Sequence, residues 1–411
     1  MSAAQGGERE PGGPASQRGM RRANLALVLG AVARAGGASR AELSESTGLT
    51  RAAVGSLVAE LIDAGLVRER GVSLQGRVGR PGTALAVNDR GPCGLGLEIG
   101  IEHLGACVVD LRRQVRVQIH RPLPGRGREP RQILGPLAGL AAEALAQAGQ
   151  HGLEPAGVTV AVPGLVAKTG VVEHAPNLGW HEVDLAAELR PRLPETLRGR
   201  PIEAENEANL GALAELWHGA AGQDFVHVSA QAGIGGALIV DGMLLRGRRG
   251  FAGELGHMPV HPDGLACPCG SRGCLEQYAG ERAMLRACGL DDATGDRVAL
   301  LAAQAGAGHA GALRALDGAG RALGIALAGA VNLVDPEKVV LGGAYADLAS
   351  WLTPGMQEEL AARVRIRRWD PAGLAVSALR RDGPVVGAAT SVVQRLIAHP
   401  PLAAVHSMPR A

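Results

Sequence analysis

The chain has 411 residues, 46% of them apolar, which supports two or three cores. Aromatics supply only 2%, so Ala, Val and Leu must fill those cores. With 42 basic and 40 acidic residues, no global field draws the chain onto nucleic acid, and any such contact needs a local basic patch. No apolar run approaches the roughly 20 residues that cross a bilayer, and six cysteines are too few for a disulfide framework. A cytoplasmic protein with no membrane partner is expected.

Residues 1–19, rich in Gly, Pro, Ser, Gln and charge, read as a disordered leader. From Met20 the texture changes. Leu25, Val28, Leu29 and Val32 mark a helix that stops at Gly36-Gly37. Ser39 then caps a short helix, Arg40 to Thr47, and Gly48 turns the chain. Thr50 caps a third helix, in which Val54, Leu57, Val58 and Leu61 stand at i, i+3, i+4 and i+7. Ala64-Gly65 ends that helix, and a hairpin follows to Val87. This order predicts a winged helix-turn-helix DNA-binding domain over residues 20–88.

The outer face of the third helix carries Arg51, Ala52, Gly55, Ser56 and Ala59. It is small enough to enter a major groove, with Arg51 as the candidate guanine contact and Thr50 and Ser56 beside it. At the hairpin tip, Gly76-Arg77-Val78-Gly79-Arg80-Pro81-Gly82 presents Arg77 and Arg80 for a narrow minor groove.

From Cys93 the pattern alternates. Buried strand-like runs occur at 157–162, 226–229, 237–240 and 338–341, separated by alanine-rich helical stretches at 132–148, 207–217 and 312–332. That alternation predicts an α/β body with two lobes and a cleft over residues 89–398, followed by a tail, 399–411.

Within the body, the run from Glu254 to Glu276 sets His257, Cys267, Cys269 and Cys274 at tight spacing. One imidazole and three thiolates suit a closed, tetrahedral, structural zinc site. Glu254 and Glu276 flank the cluster, are not needed by the metal, and are free to bind something else.

This run, Glu-x-Gly-His followed by Cys-x-Cys-Gly-x-x-Gly-Cys-x-Glu, resembles the signature of the ROK family of repressors, open reading frames and sugar kinases. The front end, with its Gly-Arg-x-Gly-Arg-Pro wing, is similar to the N-terminal domain of ROK transcription regulators. The resemblance implies an actin-like, sugar-kinase fold for the body. It also implies sugar contacts from Gly164, Asn177, Asn206, Glu207, Glu254, His257 and Glu276, with zinc on one ring nitrogen of His257 freeing the other for a hydroxyl.

Family kinases hold ATP with Asp-x-Gly-Gly-Thr, where this chain reads Glu98-Ile99-Gly100-Ile101-Glu102. Their second phosphate loop, Gly-Thr-Gly-x-Gly-Gly, is here Gln231-Ala232-Gly233-Ile234-Gly235-Gly236. Their catalytic Asp is here Glu207, whose extra methylene moves the carboxylate by roughly 1 Å, a displacement that can cost about a hundredfold. Ile101 crowds a phosphate and Glu102 repels one, so neither ATP binding nor catalysis is expected.

The resulting expectation is a sugar-responsive DNA-binding transcription regulator, a repressor by default, that binds operator DNA and a small carbohydrate as a homodimer or homotetramer. The rival readings are a sugar kinase tethered to a DNA-binding head, with Glu207 as base, and a sensor of zinc itself.

Overall fold

A computed structural model describes residues 17–72, 83–123, 129–231, 233–290 and 295–401. The chain divides into two compact units. One comprises Met1–Pro92 with Val393–Ala411, the other Cys93–Val392.

The first unit is built on α1 (Gln17–Ala35), α2 (Arg40–Thr47) and α3 (Arg51–Asp63), followed by the antiparallel strands β1 (Val67–Val72) and β2 (Thr83–Val87). Local chemistry sets the helix ends. The Ser39 hydroxyl accepts from the Glu42 N–H, and the Glu42 carboxylate accepts from the Ser39 N–H at 2.8 Å, a reciprocal capping box. Gly48 closes α2 at φ 72°, and the Thr50 side chain caps α3 through the Ala53 N–H at 3.2 Å. Leu25, Leu29, Leu43, Val54, Val58, Leu61 and Leu85 are fully buried and form one apolar centre. The helical periodicity of the sequence therefore marks the faces that pack.

In the second unit, β3 (Gly91–Ile99), β4 (His103–Asp110) and β5 (Val115–Pro122) run antiparallel. After α4 (Pro130–Gly149), β6 (Leu153–Val162) joins their sheet. A small antiparallel sheet follows, of β7 (Leu165–Val166), β8 (Val172–Ala175) and β9 (Trp180–Val183), then α5 (Leu185–Leu189). Strand β10 (Ile202–Asn206) returns parallel to β6, which completes the order β10-β6-β3-β4-β5. The helix α6 (Glu207–His218) leads out of it.

The second lobe begins with β11 (Phe225–Ala230), β12 (Ile234–Val240) and β13 (Met243–Leu244). After a long loop come α7 (Glu276–Ala279), α8 (Glu281–Ala287), α9 (Arg297–Gly306) and α10 (Ala310–Val334). Next are β14 (Lys338–Gly343), α11 (Ala344–Arg363), β15 (Leu374–Val376) and α12 (Gly383–Ala398). Its sheet has the order β13-β12-β11-β14-β15, with β11 and β14 parallel.

Small residues permit the packing that an aromatic-poor chain requires. A methyl group on Gly96 of β3 would lie 2.3 Å from the Val385 carbonyl oxygen, so the strand and α12 can meet backbone to backbone only there. The parallel pairing of β6 and β10 brings Val162 level with Asn206. Their carboxyl ends therefore open into the same crevice, where ligands collect in α/β sheets.

Candidate functional site

At the ends of β6 and β10, Gly164, Asn206, Asn209, Gly236, Phe251 and Glu254 line one small pocket. Gly164 has φ +138°, and an added Cβ would lie 2.5 Å from the His174 carbonyl oxygen, which fixes glycine at this wall. Asn206 is the cap of α6. Its side-chain oxygen accepts from the Ala208 and Asn209 N–H groups at 2.8 and 3.1 Å, and its amide donates to the Gly164 carbonyl at 2.8 Å. Most of its hydrogen-bonding capacity thus goes to building the pocket, which leaves one N–H for a ligand. Glu205 supports the same turn, accepting from the Asn206 N–H and the Asn209 amide while pairing with Arg246.

Glu276, on α7, accepts from the Ile234 N–H at 3.3 Å, and a Cβ on Gly233 would lie 2.3 Å from its carboxylate. The Glu254 side is tied to the same strand, since a Cβ on Gly256 would meet the Ile234 carbonyl at 2.5 Å. Burial raises the Glu254 carboxyl above its ordinary range, while His257 lowers it and Glu276 raises it further. Glu254, His257 and Glu276 are therefore electrostatic neighbours. Asn177 is half-buried in the turn between β8 and β9. That hairpin is pinned by His174 and His181, whose Nδ1 atoms are 3.2 Å apart; the sequence offers no partner for His174.

The donor atoms of His257, Cys267, Cys269 and Cys274 all lie within 4.8 Å of one another. The Cys269 and Cys274 sulfurs are 3.7 Å apart, close to the edge of about 3.8 Å that a tetrahedron with ~2.3 Å Zn–S bonds requires. The loop folds back through a bridge between Ala266 and Arg272, and Pro259 pairs with Cys274. Gly273, at φ +69°, has no room for a side chain, since a Cβ would overlap the His261 carbonyl. This donor set fits one borderline-soft ion with no open position.

On the other side of β3, Glu98, His103 and Gln231 hold each other. Glu98 is fully buried; one of its carboxylate oxygens accepts from the Gln231 amide at 3.2 Å and lies 3.4 Å from His103 Nε2. The other oxygen of Glu98 has no partner, and neither has one buried oxygen of Glu207. Burial, with a smaller contribution from Glu98, pushes the Glu207 carboxyl up to about 8. Beyond them lies a cleft walled by Ile101, Glu102, His103, Gln231, Glu281, Arg282, Asp296, Arg297 and Arg381. The arginines in this wall escape a reading by motif, although an acid at position 102 signals that cations face it.

In the first unit, Arg51 and Ser56 are exposed on the outer face of α3, opposite Val54, Leu57, Val58 and Leu61. Ser56 also accepts from Arg21 at 3.4 Å. Arg77 and Arg80 lie outside the described residues. His227 is buried in a slot bounded by Gly211 and Gly342, and the apolar surroundings lower its pKa to about 4.

The sequence profile of the ROK family matches residues 94–395, and that of the MarR family matches residues 22–77. The chain therefore belongs to the ROK family. It is 29% identical over 388 residues to the xylose repressor of Bacillus subtilis, covering 93% of this chain and 98% of that protein. Among solved structures, a ROK family transcriptional regulator, homologous to the Escherichia coli MLC protein, superposes with TM-score 0.76 at 25% identity. That match covers 92% of this chain and 97% of the other. A ROK family glucokinase from Streptomyces griseus, solved with glucose and AMPPNP, superposes with TM-score 0.61 at 28% identity, covering 73% and 98%. The fold is thus a winged-helix head on an α/β sugar-kinase-like body, as the sequence implies. Among the described residues, no helix is long and apolar enough to cross a membrane.

Proposed function

We propose that this chain is a sugar-responsive transcriptional repressor whose body senses a carbohydrate and whose head binds operator DNA. One observation carries the reading. The sugar-facing residues Gly164, Asn206 and Glu254 wall a single pocket, whereas the phosphate-facing residues are spent on each other, Glu98 with Gln231 and Glu102 with Arg297. Carboxylates at positions 98 and 102, the first of them fully buried, oppose a triphosphate. Convergent carboxylates and amides suit sugar hydroxyls, which both donate and accept. The similarity in length and sequence to a protein named xylose repressor supports the same assignment, and makes D-xylose the first sugar to try.

His257, Cys267, Cys269 and Cys274 would hold one structural zinc ion. When bound, the ion cross-links the loop and fixes the His257 ring. Glu254 and Glu276 at the two ends of that loop are thereby kept in place for a ligand. Arg51 and Ser56 on α3 would meet the major groove, and pairing of two heads on two half-sites supplies the specificity that one small head lacks.

The test is selection of DNA by the full-length chain from a random duplex pool, followed by competition with D-xylose, D-glucose and N-acetylglucosamine. An inverted repeat whose retention falls at least tenfold with one of these sugars is the expected result. Retention of DNA with no preferred sequence would contradict the repressor assignment.

A further inference from the structure

The cleft beyond β3 is crossed by polar contacts that join the two lobes. Glu102, in the turn between β3 and β4, lies 3.0 Å from Arg297 at the start of α9. Arg297 also reaches Glu281, the first residue of α8, at 3.2 Å. A second crossing runs from Gln231, after β11, to Glu98 of β3 at 3.2 Å. Nearby, His120 of β5 lies 3.2 Å from Asp382, the residue before α12. Beside it, Arg381 is held by Asp296 and Asp347 at 3.3 and 3.0 Å.

Arg297 and Arg381, two of the three arginines that line this cleft, are already neutralised by carboxylates, and the third, Arg282, is exposed. Where the arginines are paired, the walls of the cleft are complementary to each other. The Arg297 side chain is 19% exposed and that of Glu281 15%, so this pair is partly desolvated. Glu102 is 54% exposed, which makes its crossing the part of the bridge most open to screening by salt.

We propose that these contacts form an interlobe latch, centred on Arg297 between Glu102 and Glu281, that closes the cleft with the protein's own side chains where a kinase would close on a nucleotide. The latch sets the balance between open and closed bodies, and hence the sugar concentration at which the sensor responds. This consequence rests on the sugar-sensor reading above; the latch itself does not. An exposed crossing of this kind biases the balance by about three- to fivefold.

Glu102→Arg places like charges face to face, and Glu102→Gln removes the attraction. Hydrogen exchange of the sugar-free, full-length protein reads the latch directly at the 100–103 turn, at Ala230–Gln231 and in the first turn of α9. Exchange at these sites is expected to rise threefold or more in Glu102→Arg and less in Glu102→Gln. Raising salt to 0.5 M should move the wild type toward the variants. Unchanged exchange in α3 and α10 shows that the variants are folded. Exchange at the cleft that responds neither to Glu102→Arg nor to salt would overturn the latch.

Titration with D-xylose and D-glucose then tests the consequence. A sugar that binds the wild type should bind Glu102→Arg about three- to tenfold more weakly, and equal affinity would overturn the threshold role. If neither sugar binds the wild type, the sensor reading fails while the exchange result still decides the latch.

Discussion

At the scale of single residues, Glu207 carries the largest unresolved electrostatic tension at the candidate site. It begins α6 with one buried carboxylate oxygen unpartnered, close enough to Glu98 to feel its charge. Its ordinary value of 4.5 rises to about 8 in the folded chain. The folded protein therefore keeps the proton between pH 4.5 and 8 while the unfolded chain releases it, so stability is lost as pH rises through that window. Glu207→Gln removes this cost. We expect it to raise stability at pH 8 by ~1–3 kcal/mol and to change little near pH 4.5, as read by denaturant unfolding at the two pH values. An equal shift at both would place the effect in packing instead.

The same side chain shows how far a motif carries. Glu207 and Glu254 are singled out in the sequence because they stand in runs that resemble family motifs. That Asn206 spends its carbonyl oxygen on the cap of α6, and its amide on Gly164, is not legible. It depends on β6 and β10 pairing in parallel, which brings Asn206 to a residue 42 positions earlier.

At the scale of elements, the loop that carries His257 and the three clustered cysteines is the unit whose folding is least self-sufficient. Its backbone reverses through isolated bridges at Ala266–Arg272 and Pro259–Cys274, with only one short 3-10 turn, Leu255–His257, inside it. Such a loop depends on its ion. Treatment with a strong chelator is expected to release one zinc per chain, lower the melting temperature and abolish sugar binding together, while Cys274→Ser, at a fully buried sulfur, should reproduce all three effects. Sugar binding that survives complete removal of metal would separate the loop from the site.

Elements of this chain differ in legibility for physical reasons. Helix α2 can be read to the residue, Arg40 to Thr47, because Ser39 and Gly48 mark its ends chemically. Strands β6 and β11 can be read from their buried, largely small and apolar runs Val158–Val162 and Phe225–Ala230. Strands β7, β8 and β9 span only two to four residues each, too few for any period to appear. The crossing from Glu102 to Arg297 joins positions 195 apart, and no local pattern announces it.

At the scale of the molecule, a reading head and a sugar-kinase-like body share one chain, and the body retains pocket residues while its phosphate side is tied up in internal contacts. A ligand acts on such a sensor only through its differential affinity for two states of the body. On the proposed reading, two terms then set the response: contacts made by the sugar in the pocket at Gly164, Asn206 and Glu254, and contacts across the neighbouring cleft that favour closure before sugar arrives.

The most direct measurement is isothermal titration of the zinc-loaded, full-length protein with D-xylose, D-glucose and N-acetylglucosamine, in the presence and absence of ATP and magnesium, with the products analysed afterwards. The account predicts saturable heat from one sugar, unchanged by ATP, and no phosphorylated sugar among the products. Formation of a sugar phosphate would contradict it and make Glu207 the base of a working kinase.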